Sequence, residues 1–197
     1  MAGRRKYELK KRAERLEETR RRITEATIEL HRTVGPAATR ISEVARRAGV
    51  QRVTVYSHFP DEASLFAACS AHWRSLHPAP DPAAWATVAD PHERVSIALR
   101  ALYAWYRETE PMTANVLRDM ESLPALRHVI DEGFGRYLGA VRSSLLESFR
   151  ARGRRRDRVA AAVDAATSFH LWRALAPLGE GEAARIASAL VAAAAAR

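Results

Sequence analysis

The amino-acid sequence predicts an all-α protein, with an N-terminal three-helix head that contains a helix-turn-helix and a larger C-terminal helical body. Apolar side chains recur every three to four residues along most of the chain, which is the period of one helix face. No stretch shows the alternation of apolar and polar residues that is typical of a half-buried strand. Proline and glycine interrupt the periodic segments and so indicate where helices end.

The composition of the chain limits the classes of protein to which it can belong. The chain has 197 residues, 47% of them hydrophobic, which is typical of a globular protein. It has one cysteine, Cys69, so an internal disulfide is excluded, and we expect this thiol to be a small core residue. There is no run of about 18 apolar residues and no apolar core of a signal peptide. We therefore expect a cytoplasmic protein.

The net charge of +9 is concentrated at one end of the chain. Residues 1–60 contain 15 Lys and Arg against 7 Asp and Glu, whereas the remainder contains 17 against 16. This asymmetry indicates a polyanionic partner for the N-terminal part alone.

Residues 1–19 form a basic extension in which we expect a flexible start and a helix from about Glu8. Two interpretations stay open: a basic arm that lies in a DNA minor groove, or a solvated helix end. The first helix of the head follows over 22–34, with His31 at the edge of its core, and Gly35-Pro36 ends it.

The segment from Thr39 to Leu65 predicts two helices joined by a tight turn. Thr39 is a candidate N-cap of the first helix, and Gly49 is placed where a left-handed residue would end it. The second helix, over 51–58, turns Val55 and Phe59 inward and Val53 partly inward. Its other face carries short or planar polar groups, which suit base edges and phosphates. This arrangement is a helix-turn-helix.

A longer pattern runs through Gly35, Thr39, Val44-Ala45, Ala48-Gly49-Val50, Thr54-Val55-Tyr56, His58-Phe59 and Leu65. It resembles the DNA-binding head of the TetR family of bacterial repressors, and Ile23, Ala26 and Leu30 match the first helix of that head. The resemblance covers residues 20–68. It implies that the second helix lies in the major groove of a double-stranded operator. The DNA-contacting positions carried over from the family are Thr39, Arg40, Gln51, Arg52, Thr54, Tyr56, Ser57 and His58.

The sequence departs from the family pattern at three positions. Glu62 stands where a phosphate-binding lysine is usual, so we expect that contact to be lost. Ser57 replaces a residue that is often aromatic or basic, and Val53 is larger than the residue common there. An operator sequence therefore cannot be transferred from a relative.

The rest of the chain also predicts helices. Asp61 is a candidate N-cap of a helix lined by Leu65, Phe66, Cys69, Trp73 and Leu76, of which Phe66, Cys69 and Trp73 are expected to face the body. After a proline-rich loop at 77–82, helices are predicted over 92–109, 113–123, 124–149, 157–178 and 181–197, with an arginine-rich loop at 150–158. Gly133, Gly135 and Gly139 predict close packing or a kink in the long helix. The predicted domains are 1–19, 20–68 and 69–197.

The resemblance further implies how the body works. It would enclose a pocket for a small, largely apolar ligand whose binding releases a repressor from a palindromic operator. The last two helices would form a homodimer. Pocket candidates are the aromatic or polar side chains on apolar helix faces: Trp73, Trp105, Tyr106, Met112, Asn115, Met120, Phe134, Tyr137, Phe169 and His170. We expect no cofactor and no metal ion.

Two other classes of function agree less well with the sequence. An enzyme would need a phosphate-binding glycine loop, a metal-ligand motif or a nucleophile with its base, and none is evident, so we expect no catalytic activity. A nonspecific or architectural DNA-binding protein would explain the charge but not the near-neutral, aromatic-rich body. The sequence does not distinguish a repressor from an activator.

Overall fold

In a computed structural model, the backbone is described for residues 2–196 and the side chains for residues 6–196. The described residues form eleven α-helices and no strand, which confirms the all-α prediction. The helices are α1 (Ala2–Thr33), α2 (Ile41–Ala48), α3 (Arg52–His58), α4 (Glu62–Leu76), α5 (Ala83–Ala86), α6 (Pro91–Asp119), α7 (Pro124–Ile130), α8 (Arg136–Ser148), α9 (Gly153–Thr167), α10 (Phe169–Leu175) and α11 (Glu180–Ala195). No helix in this part of the chain is long and apolar enough to cross a membrane.

The described chain divides into two compact units. The head unit contains residues 2–77 and 111–130, and the body unit contains residues 78–110 and 131–196. The head unit thus includes α4, the end of α6 and α7 in addition to the three helices of the predicted head. The boundaries 1–19, 20–68 and 69–197 stay a prediction about domains.

The core of the head unit is built from one apolar face of each helix. Ile23, Val44, Val55 and Leu65 come from α1 to α4 in turn, and all are at most 4% exposed. Cys69 lies in the same core, where burial raises the pKa of its thiol to about 12. The thiol is therefore protonated at neutral pH, as expected of a core residue.

One side chain of α4 does not follow the prediction. Cys69 is buried in the core of the head unit and Trp73 packs against it, and this core includes Met112 and Val116 from the segment 69–197 that was predicted to be the body. Leu76, predicted to continue the apolar stripe, is 58% exposed. The apolar stripe therefore ends at Trp73, one turn earlier than predicted, because the last residue of the helix is exposed to solvent.

Helix α1 begins earlier than predicted. It starts at Ala2 rather than near Glu8, so the part of the predicted flexible start that is described is helical. Met1 and the side chains of Arg4 and Arg5, which belong to that prediction, lie outside the described residues.

Helix α6 runs through Pro111, which corrects the prediction of two separate helices at 92–109 and 113–123. Contacts within the head unit hold its last turns. Asn115 donates its amide to the backbone oxygens of His31 and Arg32, and Asp119 accepts the backbone N–H of Ala37 at 2.9 Å. These contacts at the end of α1 offset the backbone hydrogen bond that proline cannot make.

The long helix predicted from Pro124 is interrupted where its glycines cluster. Gly133 and Gly135 lie in a π-helical segment, Asp131–Gly135, between α7 and α8. The predicted irregularity is therefore present as a local change of helix type. The prediction of close packing is wrong for Gly139, because a Cβ atom there would have no neighbour within 4 Å.

The C-terminal end of the body unit differs from the prediction in two places. The helix predicted over 157–178 is broken at Ser168, whose hydroxyl accepts the backbone N–H of Leu171 and so begins α10. The arginine-rich segment is not a free loop, since α9 already begins at Gly153. Arg155 donates its Nε to the backbone oxygen of Ala195, at the end of α11.

Candidate nucleic-acid interface

The turn between α2 and α3 has the geometry of a helix-turn-helix. Gly49 has φ 63° and ψ 40°, a left-handed conformation that glycine adopts without steric cost, as predicted. Its N–H donates to the backbone oxygen of Arg46, and the N–H of Val50 donates to that of Ala45 at 3.0 Å. These bonds close the last turn of α2 and fix the direction in which α3 begins.

Helix α3 separates its packing residues from its polar residues. Val55 is fully buried and Phe59, directly after the helix, is 2% exposed. Gln51, Arg52, Tyr56 and Ser57 are exposed, while Thr54 and His58 are half-buried at the edge. All six predicted positions of this segment therefore stand outside the core, on a helix that its buried side holds in place.

Two arginines of α1 bind the C-terminal ends of helices α2 and α3. Arg20 donates to the backbone oxygen of His58 at 2.8 Å, and its guanidinium lies 4.2 Å from the ring centroid of Phe59. Arg22 donates to the backbone oxygen of Ala48. Both side chains supply donors to carbonyl groups at helix ends, which have no partner within the helix. Two basic residues of the head thus have structural roles that the sequence did not reveal.

The segment before α2 corrects one prediction. Thr39 does not cap the helix, because its hydroxyl donates to the backbone oxygen of Gly35 at 2.8 Å. Arg40 occupies the N-cap position with an extended backbone and no side-chain cap bond. The side chain of Arg40 is exposed and makes no hydrogen bond or ion pair with any described residue.

Ion pairs with glutamate distinguish the arginines of helices α2 and α3 that are free to bind a phosphate from those that are not. Glu43 on α2 accepts hydrogen bonds from Arg46 and Arg47 at 2.6–3.0 Å, and these bonds lower the pKa of its carboxyl to about 2. Arg46 and Arg47 are therefore partly neutralised. Arg52, in contrast, is exposed and has no such partner within the described chain.

Sequence reasoning missed Val53 as a candidate contact. It was predicted to turn partly inward, but its side chain is 67% exposed, on the same side of α3 as Arg52 and Tyr56. Apolar side chains at such positions can contact the methyl group of thymine. No sequence signal identifies it, because the exposure of Val53 depends on how α3 packs within the head unit.

The ten predicted ligand-binding residues fall into two groups. Trp105, Tyr106, Phe134, Tyr137 and Phe169 form one aromatic cluster in the body unit, with neighbouring ring centroids 5.4–6.4 Å apart. His170 is exposed beside Phe169. The remaining four belong to the head unit: Trp73, Met112, Asn115 and Met120.

The aromatic cluster contains two further residues that were not predicted. Tyr103 donates its hydroxyl to the backbone oxygen of Ala166, and Tyr106 donates to that of Thr167, at 2.8 and 2.7 Å. Burial raises the pKa of both hydroxyls, so they stay neutral donors. The other addition is Trp172, whose ring packs on Phe169 at 5.2 Å. The hydroxyl groups of the two tyrosines thus hold the end of α9, at the interruption between helices α9 and α10.

The described residues include no group of three or more His, Cys, Asp or Glu side chains placed to hold a metal ion.

Comparison with curated proteins finds no match. Solved structures share the fold. A candidate TetR-family transcriptional regulator from Mesorhizobium loti MAFF303099 is 20% identical, with 91% of this chain and 96% of that chain covered and a TM-score of 0.64. The TetR family transcriptional regulator PfmR from Thermus thermophilus is 23% identical, with 89% and 99% covered and a TM-score of 0.60. A TetR transcription regulator from Haloarcula marismortui ATCC 43049 is 17% identical, with 91% and 97% covered and a TM-score of 0.59.

The sequence of the head is similar to that of a known family. Residues 23–69 match the family described as "Bacterial regulatory proteins, tetR family". This segment begins in α1, includes the helix-turn-helix and ends at Cys69 in α4. The sequence of the head is thus similar to that of bacterial regulatory proteins of the tetR family, and the fold of the whole chain is similar to that of solved TetR-family regulators.

Proposed function

We propose that the protein is a repressor that binds a palindromic operator as a homodimer and leaves it when a small, largely apolar ligand binds the body unit. The observation that carries the DNA-binding part of this proposal is the exposed polar side of α3 above the buried Val55 and Phe59. A helix held in this way presents its side chains to base edges at a fixed angle.

The exposed residues divide by chemistry. The free guanidinium of Arg52 matches the O6 and N7 atoms of guanine, and Gln51 matches the donor and acceptor of adenine. Val53 and Thr54 suit a thymine methyl group. Tyr56 and the exposed Arg40 suit phosphate oxygens, which set the register of the head and do not read sequence.

The aromatic cluster supports an effector site in the body unit. Tyr103, Tyr106 and Phe169 are at most 3% exposed and form its closed side, whereas Trp105, Phe134 and Tyr137 are only half-buried. Rings that are open on one side bind flat or bulky apolar molecules. We propose Trp105, Phe134 and Tyr137 as ligand contacts, and regard the head-unit candidates Trp73, Met112, Asn115 and Met120 as packing and positioning residues.

The proposed dimer uses the last helices of the body unit. Helices α9 and α11 pack on one another within one chain, and α11 is rich in alanine. Small side chains allow helices of a second copy to approach closely across a two-fold axis. Two heads related by such an axis require a palindromic operator, and we propose that the regulator acts in the cytoplasm on the nucleoid.

The first test is selection of bound duplexes from a random DNA pool at about 150 mM salt, which suppresses binding to phosphates alone. The expected result is a palindrome with half-sites roughly 34–36 Å apart. Recovery of no shared sequence would reject the specific regulator and favour the alternative, a nonspecific or architectural DNA-binding protein.

The ligand part needs a separate test. Aromatic apolar compounds are screened for release of the selected duplex, and active compounds are tested on Tyr137→Ala with Tyr7→Ala as the matched control. Tyr137 belongs to the half-open rings, whereas Tyr7 is 65% exposed on α1. Release should require more compound only for Tyr137→Ala. Transcription from the selected site, measured with purified components, distinguishes a repressor from an activator.

A further inference from the structure

The first five turns of α1 leave the rest of the protein. From Lys6 to Glu18 every described side chain is exposed, although the helix continues without interruption into the head core. The 18 residues from Ala2 to Thr19 make a rod about 27 Å long, at 1.5 Å a residue. We call this segment, residues 2–19, the α1 arm.

Three cations of the α1 arm lie close together on one side of the helix, and Glu8, four residues before Arg12, lies on that side as well. Lys11, Arg12 and Arg15 lie on one side, at the three- and four-residue spacing of helix neighbours. None of these three side chains forms an ion pair or hydrogen bond with another described residue. We call this side the basic side.

The second side carries acidic residues and the basic residues that form ion pairs with them. Lys10, Glu14, Glu17 and Arg21 follow one another at four, three and four residues. Lys10 lies 3.8 Å from Glu14, and Arg21 is bound to Glu18. We call this side the acidic side. It has little free positive charge, so an anionic partner would be attracted to the basic side.

The head unit shows where each side points. Arg22 continues the basic side seven residues after Arg15, and it binds the backbone oxygen of Ala48, at the turn of the helix-turn-helix. Glu25 continues the acidic side four residues after Arg21, and it lies 3.9 Å from His72 on α4. The row of residues on the basic side thus leads to Arg22, which contacts the turn of the helix-turn-helix, while Arg20, on the opposite side of α1, contacts the end of α3.

We infer that the basic side of the α1 arm binds DNA phosphates beside the half-site that α3 reads. This inference rests on the DNA binding proposed above and adds a second contact surface. It also replaces the expectation of an arm inside a minor groove. A helix is about 10–12 Å across with its side chains, whereas the minor groove of B-DNA is about 6 Å wide, so a helical arm contacts the backbone from outside.

The same contact answers the question raised by Glu62. That residue is exposed in the first turn of α4, so it cannot supply the phosphate contact that a lysine would. Arg12 and Arg15 supply positive charge on a rigid helix, without the entropic cost of ordering a flexible arm on binding.

The test compares two variants of the full-length protein that lose the same charge. Arg12→Gln/Arg15→Gln removes two cations from the basic side. Lys6→Gln/Lys10→Gln removes two from the acidic side, on which Lys6 lies four residues before Lys10. Binding to one duplex is measured from about 50 to 300 mM salt, and the slope of log K against log salt is compared. Each lost phosphate contact lowers the slope by about 0.9, so the first variant should lose about 1.8 and the control less than about 0.5.

Two results would overturn the inference. Equal losses in the two variants would mean that the charge acts only at long range, and an unchanged slope for Arg12→Gln/Arg15→Gln would mean that the basic side touches no phosphate. The comparison is repeated on a duplex of random sequence. If the wild-type protein shows no sequence preference, the proposed function fails, but the difference between the two variants still tests the basic side.

A second pair of variants tests whether the helix itself is needed. Ala13→Pro keeps every charge but breaks the helix between Arg12 and Arg15, whereas Ala13→Ser keeps the helix. Because Ala13 is exposed, neither change should alter the far-UV melting temperature of the head by more than a few degrees. The proline variant should lose about 0.9 from the slope. A proline variant with the wild-type slope would contradict a rigid arm.

Discussion

The buried imidazole of His31 should make the protein lose stability in mild acid, and His31→Leu should remove that loss. His31 is 4% exposed on α1, with its ring 5.7 Å from that of Phe66. Burial lowers the pKa of this histidine to about 4, against a smaller opposite effect of the Asp119 carboxylate. Leucine is similar in volume and does not titrate, so packing is largely kept.

The size of the effect follows from the two pKa values of His31. In the unfolded chain the imidazole titrates near 6.5, and in the folded protein near 4. Between these values the unfolded chain binds the proton and the folded protein does not, so the free energy of unfolding falls as the pH falls. The loss is absent above about pH 7, and reaches about 2 kcal/mol at pH 5 and about 3 kcal/mol at pH 4.

The assay is urea unfolding of wild type and His31→Leu at several pH values between 4 and 8. The difference at pH 8 gives the packing cost of the substitution, and the titrating groups that do not interact with His31 cancel as the pH is lowered. Relative to the wild type, the free energy of unfolding of the variant should rise by about 3 kcal/mol between pH 8 and pH 4. A difference that stays constant over this range would refute the reasoning, since the imidazole would then bind its proton equally in both states.

Three further substitutions have expected costs. Gly49→Ala should destabilise by about 1–2 kcal/mol, because a Cβ atom is disfavoured at φ 63°. Asp61→Ala should cost about 1 kcal/mol, since the carboxylate caps α4 by accepting a backbone N–H at 2.7 Å. Asp119→Ala should cost about 2–3 kcal/mol, because it leaves the backbone N–H of Ala37 without its acceptor. All three are measured as changes in the urea midpoint at pH 7.

Each of these has its own control. Gly181→Ala is expected to be nearly neutral, since its added Cβ meets nothing within 4 Å, and an equal cost at Gly49 and Gly181 would argue against backbone strain. Asp61→Asn should keep most of the cap. Asp119→Asn retains an oxygen that can accept from Ala37, and a cost equal to that of Asp119→Ala would place the effect on the lost charge instead.

Local chemistry made much of the head predictable. Glycine at position 49 and aspartate at position 61 have roles that depend on a few neighbouring residues, and the structure places both as expected. The apolar spacing also identified Val55 and Phe59 as core residues. Such features depend on backbone geometry and need no knowledge of distant contacts.

Tertiary contacts decided what the sequence could not show. Pro111 is a helix breaker by local rules, yet α6 continues because Met112, Asn115 and Asp119 are held by the head unit. Ser168 looks compatible with a helix interior, but its hydroxyl begins a new helix.

The positions of the candidate site residues could be predicted from the sequence better than the contacts that hold them. The exposed residues of α3 could be placed from the family pattern, but Val53 could not, because its exposure depends on how α3 packs on α2. The structural roles of Arg20 and Arg22 depend on carbonyl groups 38 and 26 residues away in sequence. No local window contains such pairs.

The division of labour within α3 bears on how regulators of this kind diversify. Stability depends on Val55, Phe59 and Arg20, none of which is among the residues proposed to read bases. Substitutions at Arg52 or Val53 can therefore change the preferred operator while the fold is kept. A duplicated gene could acquire a new DNA target through a few surface changes, without first passing through an unstable protein.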